Sequence, residues 1–598
     1  ESWYTSTTQL QLASLQVCMV CRGVSVLHLT VDGDTPRYLW SDADADANVG
    51  GAAESQGGKK AMTTRVPAFR ARKVSWKRPG TTPRCTGRTL SSVRFFVGGA
   101  EVNDALDEAV WPRSLMELSF GDAFNQPLDD VSLPPSLERL CFGKSFDQPI
   151  DSVSWPASLL YLCFGRAGEG DWIDGNFNHP VVGVSWPPLL RRIIFGSEFN
   201  QPISGGALPA SLQELIFSGS FDGKFNQPLL GVSWPASLER LSLGWAFNQV
   251  LDDVSWPQSL KHLTLSRCFN HFVDGVSWPD SLEELVFGDE FRRPIYGFKW
   301  PSSLKRLEFG YWFNGPISRM TFPASLEEIT LGHGFNGDIG LVGWPSGLRR
   351  LTFGHQFNRA IDRVSIPPVF LRAPTGAANF VRPINWPFSL KEITLGDDFN
   401  QPIDRVRWPV LLERLSLGTA FNQPVHMVLL PDLLIELSFG SKFKGEFNQP
   451  ISEFSWPSSL QYMLFGEAFN QPVGGVSWPP SLVRIVFGGD FNQPIDRVVW
   501  PANLQELILG SEYTRQPGFN QPIDGVSWPH SLRTLAFGRD FKQPIAGVAW
   551  PASLRSLTFW SKLKWPQPGE VAWPASLRQI AVRRDPEESL PEVPGVQV

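Results

Sequence analysis

The sequence has little of what usually marks a disulfide-bonded, secreted or membrane-spanning protein. Its 598 residues include only 6 cysteines, too few for a disulfide framework. A membrane-spanning helix needs an apolar run of about 18 residues, and no run in the sequence approaches that length. The sequence does not open with positive charges followed by an apolar stretch, so it shows no signal peptide. We therefore favour a cytoplasmic location. The first residue is Glu1 rather than Met, so we expect this sequence to be a fragment of a longer protein.

The chain also lacks an excess of either charge and the short motifs of common enzymes. Lys and Arg number 53 against 59 Asp and Glu, a net charge of −6, which argues against nucleic-acid binding. No Walker loop, Rossmann fingerprint, G-x-S-x-G or H-E-x-x-H motif is present. We expect no enzymatic activity, no cofactor and no metal ion.

Methionine and tyrosine are scarce, at 6 and 7 residues, whereas there are 24 Trp and 43 Phe. Such a skewed composition indicates one short phrase copied many times. The phrase recurs with a period of about 22 residues. A clean copy is FNQPIDGVSWPHSLRTLAFG, from Phe519 to Gly538. A Trp-Pro or apolar-Pro step marks 21 coils between Trp111-Pro112 and Trp573-Pro574.

Each copy predicts one short strand followed by turns. Leu535 and Phe537 are two residues apart, so a strand directs both side chains to one face. Gly538 then ends the strand, and the Pro of each Trp-Pro step disfavours a long helix. The sequence therefore predicts a repeat solenoid of mainly β and turn structure, with right-handed coils of about 22 residues and one short parallel strand per coil.

We divide the chain into three regions. Residues 1–88 form an irregular N-terminal segment with a polar linker at 41–60, residues 89–582 form the solenoid of about 21 coils, and residues 583–598 form a C-terminal tail. The coil around residues 366–386 is eroded. A basic cluster between Arg65 and Arg88 is read as a solvated run rather than a site for an acidic partner.

Three rows of residues follow the period and should stabilise the stack. An Asn after the Phe of each coil predicts a buried hydrogen-bonding column, which Asp147, Arg292 and Lys542 interrupt. Opposite charges alternate before the strands, which predicts a cross-strand ladder; its members are Glu284, Arg306, Glu328, Arg350, Glu392, Arg414 and Glu436. Ser, Thr, Val, Ile or Cys between the two core residues of each strand predicts an exposed, flat strand face.

The phrase FNQPI-x-x-V-x-W-P-x-S-L-x-x-L-x-F-G resembles the FNIP repeats, a leucine-rich-repeat-like family, over about residues 102–582. The resemblance implies a leucine-rich-repeat-like solenoid used for protein–protein contact. Such arrays are often attached to an F-box, a kinase or another effector domain. Residues 1–88 show no F-box-like pattern, and the resemblance implies no catalytic residues.

The cysteines and the inserted segments give further predictions. Cys18 and Cys21 form a C-x-x-C motif without further zinc ligands at suitable spacing. Cys141 and Cys163 are one repeat period apart and should be neighbours across the sheet, as two free thiols or as a redox pair. Insertions at 166–176, 218–224, 441–446 and 511–518 should bulge from one rim, at the carboxyl ends of the strands, and expose Asp171, Trp172 and Tyr513.

One position just past the strand is unusually rich in residue types common at binding hot spots. We name this set the rim column; it consists of Trp245, Arg267, Asp289, Tyr311, His333 and His355. Successive members are one repeat period apart, so we expect one row along the sheet edge and propose it as the partner-binding site. The alternatives are an unselected decorated surface and, for His333 with His355, a metal pair that lacks an evident third ligand.

The sequence favours a non-enzymatic protein–protein interaction scaffold, expected to be monomeric, with a protein partner of unknown identity. Two other hypotheses stay open. The chain could be the regulatory array of a larger enzyme or F-box-type protein whose effector domain lies upstream of residue 1, or an extracellular ligand sensor. A kinase, GTPase or F-box motif upstream would favour the former, and a signal peptide the latter.

Overall fold

A computed structural model describes residues 100–106, 109, 111–167, 172–204, 206–295, 297–362, 384–441, 444–511, 518–561 and 569–582, and the backbone of six further short strands. The predicted linker, the C-terminal tail, Cys18, Cys21, Asp171 and Tyr513 lie outside the described residues. The chain divides into two compact units, a first unit of Glu1–Ala246 and a second unit of Phe247–Val598.

The first unit contains twelve described strands, most of which pair in parallel. They are β1 (Ser14–Gln16), β2 (Leu27–Thr30), β3 (Lys73–Trp76), β4 (Phe95–Gly98), β5 (Glu117–Ser119), β6 (Arg139–Phe142), β7 (Tyr161–Phe164), β8 (Arg166–Ala167), β9 (Ile173–Asp174), β10 (Arg192–Phe195), β11 (Glu214–Phe217) and β12 (Arg240–Leu243). From β3 to β12, leaving out the β8–β9 pair, each strand pairs in parallel with the next in register. The pairs β1–β2, β2–β3 and β8–β9 are antiparallel.

The second unit repeats the parallel arrangement over a longer array. Its described strands are β13 (His262–Thr264), β14 (Glu284–Val286), β15 (Arg306–Glu308), β16 (Glu328–Thr330), β17 (Arg350–Thr352), β18 (Val364–Ile366), β19 (Phe380–Arg382), β20 (Glu392–Thr394), β21 (Arg414–Leu417), β22 (Glu436–Phe439), β23 (Tyr462–Phe465), β24 (Arg484–Phe487), β25 (Glu506–Leu509), β26 (Thr534–Phe537), β27 (Ser556–Phe559) and β28 (Gln579–Val582). No helix occurs among the described residues of either unit.

The chain thus forms a parallel β-solenoid of about 19 coils with a spacing of about 22 residues, which confirms the predicted fold class. The eroded coil explains part of the difference from the 21 predicted coils. Strand β17 pairs directly with β20, whereas β18 and β19 form a separate antiparallel pair. Arg350 and Glu392 are register partners although they are 42 positions apart in the chain, so one coil is nearly twice the usual length.

The core is a layer of aliphatic and phenylalanine side chains from every coil. In the coil around β6, Leu140, Phe142 and Phe146 are all at most 1% exposed. Phe142 and Phe146 stack with ring centroids 3.9 Å apart, and Phe146 stacks on Phe124 of the preceding coil at 6.2 Å. A single coil has too few apolar groups to offset its ordering entropy, so this stacking between coils stabilises the fold.

The asparagine row is a hydrogen-bonded ladder between coils. The backbone N–H of the residue after Phe donates over 2.7–3.1 Å to a side-chain Oδ1 of the preceding coil, which belongs to Asn in every bond but the one to Asp147. The following Gln often joins the ladder, as where Gln471 Nε2 donates to the Asn448 carbonyl and Oδ1. The prediction of a buried column is wrong: most of its Asn residues are half-buried, and Asn178, Asn248 and Asn314 are exposed.

The three interruptions of the row differ in their effect. Asp147, Arg292 and Lys542 each still donate their backbone N–H to the preceding Asn. Asp147 also accepts from the Asn178 N–H at 3.1 Å, because a carboxylate oxygen can take the place of an amide oxygen. Arg and Lys side chains have no acceptor atom, so they cannot accept a hydrogen bond from the backbone N–H of the next coil.

A second ladder, which was not predicted, runs through the Ser that precedes the first Leu of most strand segments. The Ser158 hydroxyl donates to the carbonyls of Pro135 and Leu137 in the preceding coil, at 2.8 and 2.7 Å. Equivalent bonds to the preceding Leu, over 2.6–2.8 Å, are made by Ser136, Ser211, Ser237, Ser281, Ser325, Ser389, Ser459, Ser481, Ser531, Ser553 and Ser576. The signal was present in the repeated Pro-x-Ser-Leu phrase.

The predicted charge ladder is confirmed on the strand face. Arg350 bonds Glu328 at 2.5 Å and Glu392 at 3.0 Å, and Arg414 lies 3.5 Å from Glu392. These side chains are partly exposed, and such surface pairs contribute at most about 1 kcal/mol each. The ladder therefore favours the correct strand register more than it stabilises the fold.

The predicted exposure of the strand face is wrong at two places. Cys163, Ile194 and Ile216 are at most 3% exposed, because Ile173 from the 166–176 insertion packs on them. Val486, Ile508 and Ala536 form a second buried cluster, against which Leu464 and Trp560 pack. The sheet face therefore carries two apolar patches between stretches of hydroxyl and charged side chains.

The insertions follow the carboxyl ends of in-register parallel strands, as predicted. Segments 166–176 and 218–224 follow β7 and β11 in the first unit, and segments 441–446 and 511–518 follow β22 and β25 in the second. Within each unit they therefore share one rim. Trp172 is 50% exposed there, which confirms that part of the prediction.

The Asn ladder gives a test with a matched control two coils from the end of the array. In Asn520→Ala, the Lys542 N–H loses its acceptor, whereas the Gln543 amide keeps the backbone carbonyl of residue 520, so we expect a loss of about 1–3 kcal/mol of unfolding free energy. Lys542→Ala keeps its backbone N–H donor and should change stability little. Urea unfolding, with hydrogen exchange at residue 542, measures both variants; equal destabilisation would contradict the ladder's role.

Candidate functional site

Each member of the rim column follows the residue that ends its strand segment, which is a glycine for every member except Arg267, where it is Ser266. A side chain on Gly310 would place its Cβ 1.9 Å from the Gly288 carbonyl oxygen, and one on Gly332 would lie 2.0 Å from the Gly310 oxygen. Successive turns therefore touch backbone to backbone at these glycines. This close approach aligns the residues that follow, which are the members of the rim column.

The first two members of the second unit form an ion pair. Arg267 Nε lies 2.6 Å from Asp289 Oδ2, with both side chains about one third exposed. The Tyr311 N–H donates to Asp289 Oδ1 at 3.2 Å. Asp289 thus links the charged start of the row to its aromatic part.

Three rings stack in the middle of the row. The rings of Tyr311 and His333 are 4.0 Å apart and 10° from parallel, and those of His333 and His355 are 4.5 Å apart and 18° from parallel. Trp312 packs edge-on against Tyr311 at 4.7 Å, and the Arg292 guanidinium lies 5.4 Å from the Trp312 ring centroid. Tyr311 and Trp312 remain 40% and 44% exposed.

Trp312 and Arg292 were not predicted as members of the rim column, because they occupy other positions of the repeat. The row also extends beyond its predicted end. His355 Nε2 lies 3.4 Å from Asp397 Oδ2 and its Nδ1 lies 3.5 Å from Asp398 Oδ1. The long coil makes this contact possible, since β17 pairs directly with β20.

Trp245 belongs to the first unit and contacts residues of the insertions there. Its ring lies 4.6 Å from Phe221, which in turn packs edge-on against Trp172 at 5.1 Å. Phe221 is 62% exposed. The structure therefore places Trp245 in an exposed aromatic cluster of the first unit and joins Arg267, Asp289, Tyr311, His333 and His355 by contacts in the second.

The electrostatics of the histidine pair favour a neutral ring. Burial and, second, the neighbouring His355 lower the pKa of His333 below its usual 6.5, although Asp397 and Asp398 oppose the shift. In the described part of the chain, no group of three or more His, Cys, Asp or Glu side chains is placed to hold a metal ion. The arrangement suits a surface of aromatic and charged contacts.

These features define a leucine-rich-repeat-like parallel β-solenoid that carries aromatic and charged side chains along one rim. The FNIP Repeat family profile matches residues 103–144, 124–167, 177–220, 225–268, 300–334, 421–468, 469–512 and 519–562, more than half of the chain. The chain therefore belongs to the FNIP repeat family, which confirms the resemblance. Among proteins with curated descriptions, none matches.

Two solved structures are similar over most of the chain. CroV588, described as a novel circular LRR protein, is 31% identical and has a TM-score of 0.61, with 85% of this chain and 78% of that chain covered. The TLR13–ssRNA13 complex is 14% identical and has a TM-score of 0.52, with 86% and 79% covered, which shows likeness of fold alone. Both support the leucine-rich-repeat-like fold. No helix of the described residues is long and apolar enough to cross a membrane.

The lowered pKa of His333 predicts a pH dependence of stability. The folded state disfavours the charged His333 ring, so the unfolded state takes up a proton more readily. The free energy of unfolding should therefore be highest well above pH 6.5. It should fall as the pH drops through 6.5 toward the lowered pKa of the folded state. Urea midpoints at pH 7.5 and 5.5 measure this loss, which His333→Asn should reduce. An unchanged loss in that variant would show that other groups cause it.

Proposed function

We propose that this protein is a non-enzymatic protein–protein interaction scaffold that binds its partner through the part of the rim column in the second unit, from Arg267 to His355. The observation that carries the proposal is the continuous contact row from Arg267 to His355. Tyr, Trp and Arg are enriched at binding hot spots, and this row holds all three types when Trp312 and Arg292 are included.

The size of the row supports a protein partner. Parallel strands are spaced by about 4.8 Å, so the five described members from Arg267 to His355 span about 19 Å. A standard interface buries about 800 Å² on each partner. The row therefore supplies the centre of such an interface, and the flanking turns supply its polar edge.

The mixture of charges indicates what the partner surface offers. Arg267 and Arg292 are already paired with Asp289 and Glu290, whereas Asp397 and Asp398 favour basic groups of the partner beyond His355. The exposed rings of Tyr311 and Trp312 favour an apolar or cationic side chain packed against them. A partner with an apolar group opposite the rings and a basic group near His355 therefore fits this row.

A photo-crosslinking experiment tests the proposal. A photoreactive phenylalanine analogue at position 311 should crosslink a defined protein in lysate of the source cells. The same analogue at Val499, which is 81% exposed in the same unit, is the matched control. We expect an adduct at 311 that is absent at 499.

The second arm of the experiment measures affinity for the crosslinked protein once it is identified. Tyr311→Ala with Trp312→Ala should weaken binding by about 2–4 kcal/mol, the range of two hot-spot truncations. Leu429→Ala with Val499→Ala removes two apolar side chains of the same unit that are more exposed, at 78% and 81%, and should leave binding unchanged. Equal affinities of a folded Tyr311/Trp312 variant and the wild type would reject the rim column as the binding site.

A further inference from the structure

The strand face of the first unit carries two thiols in register on neighbouring strands. Cys141 on β6 and Cys163 on β7 are register partners. Both are free, Cys141 half-buried and Cys163 fully buried. In-register parallel strands are about 4.8 Å apart, within the Cα separation of about 4.4–6.8 Å that a disulfide requires.

The surroundings make the two thiols unequal. A hydrogen bond with Cys163 lowers the pKa of Cys141, and Arg139 adds a smaller effect in the same direction. The same hydrogen bond, together with burial, raises the pKa of Cys163. The Cys163 S–H also has the Gly165 carbonyl as an acceptor at 3.4 Å. Cys141 is thus the better nucleophile and the more accessible of the pair.

Two guanidinium groups border the thiols on the same face. Arg139 and Tyr161 each lie two residues before a cysteine, and the Arg139 guanidinium is 4.0 Å from the Tyr161 ring centroid. Arg192 lies 5.5 Å from the same ring. Ile173 of the insertion covers Cys163. The two guanidinium groups also pair with Glu117 at 3.8 Å and with Glu214 at 3.3 Å, and they lie where they attract a thiolate and an anionic compound beside it. The apolar cover shields the second thiol.

We propose that Cys141 and Cys163 form a thiol–disulfide exchange site that accepts anionic low-molecular-weight disulfides such as oxidised glutathione. The Cys141 thiolate attacks one glutathione sulfur, the glutathione disulfide bond breaks, and one glutathione thiolate leaves. The Cys163 sulfur then attacks the Cys141 sulfur, the mixed disulfide bond breaks, and the Cys163 proton passes to the second glutathione sulfur as it leaves. The cysteine pair loses two electrons to form one disulfide, and one oxidised glutathione becomes two reduced molecules.

The site is distinct from the rim column and does not depend on the function proposed for it. Side chains on in-register parallel strands start about 4.8 Å apart, slightly beyond the usual Cβ separation of about 3.5–4.5 Å in a disulfide. The product should therefore be readily reduced again. This reversibility suits a modification site better than a structural crosslink.

Trypsin separates the relevant cysteines, which makes the test direct. Cys141 falls in peptide 140–144, Cys163 in 145–166 and Cys268 in 268–292. The full chain, with Cys18, Cys21 and Cys85 replaced by Ser, is incubated with oxidised glutathione, quenched by alkylation and digested. We expect peptides 140–144 and 145–166 to be joined by a disulfide that dithiothreitol reverses.

Two comparisons separate exchange from simple packing of two thiols. In Cys163→Ser, and in Cys163→Ala should the first variant not fold by circular dichroism, Cys141 should accumulate as a glutathione mixed disulfide. Cys268, whose pKa is raised by burial and by Glu290, is the internal control and should react about tenfold more slowly than Cys141. Joined peptides that form only in urea, or equal rates at Cys141 and Cys268, would overturn the proposal.

Discussion

The hydrogen bond from each turn N–H to the Asn Oδ1 of the coil before it is the interaction on which the remaining structure depends. It satisfies a backbone donor where the chain leaves the Phe layer, at a position where no strand ladder can do so. Because the acceptor comes from the neighbouring coil, each bond links two successive coils and helps to set the distance between them. The Phe rings then stack at a regular spacing, as for Phe447 and Phe469 at 5.9 Å.

Because the spacing between coils is constant, residues at the same position of successive repeats lie next to each other and form rows. The glycines after the strands touch backbone to backbone, so Tyr311, His333 and His355 stack although each is distant in sequence. The same spacing places Cys141 beside Cys163 and alternates Arg with Glu along the strand face. A surface site in this fold is consequently a linear array, and its chemistry depends on which residues occupy one position in consecutive coils.

The insertions and the long coil break this regularity where side chains outside the period reach the surface. Ile173 buries part of the strand face, and Phe221 joins Trp172 to Trp245. The direct β17–β20 pairing brings Asp397 and Asp398 to His355. An insertion therefore contacts the thiol pair, through Ile173 on Cys163. The long coil likewise brings Asp397 and Asp398 to the His355 end of the rim column.

The sequence predicted every feature that depends only on residues one coil apart. These features are the period, the strand positions, the Asn ladder, the charge ladder and the neighbouring cysteines. The Ser ladder was equally readable from the Pro-x-Ser-Leu phrase. Three features emerged from the folded chain alone: the cover over Ile194 and Ile216, the packing of Trp245 with Phe221, and the continuation of the rim column to Asp397. Those contacts join residues at separations set by the paths of insertions, and a repeat period carries no information about such paths.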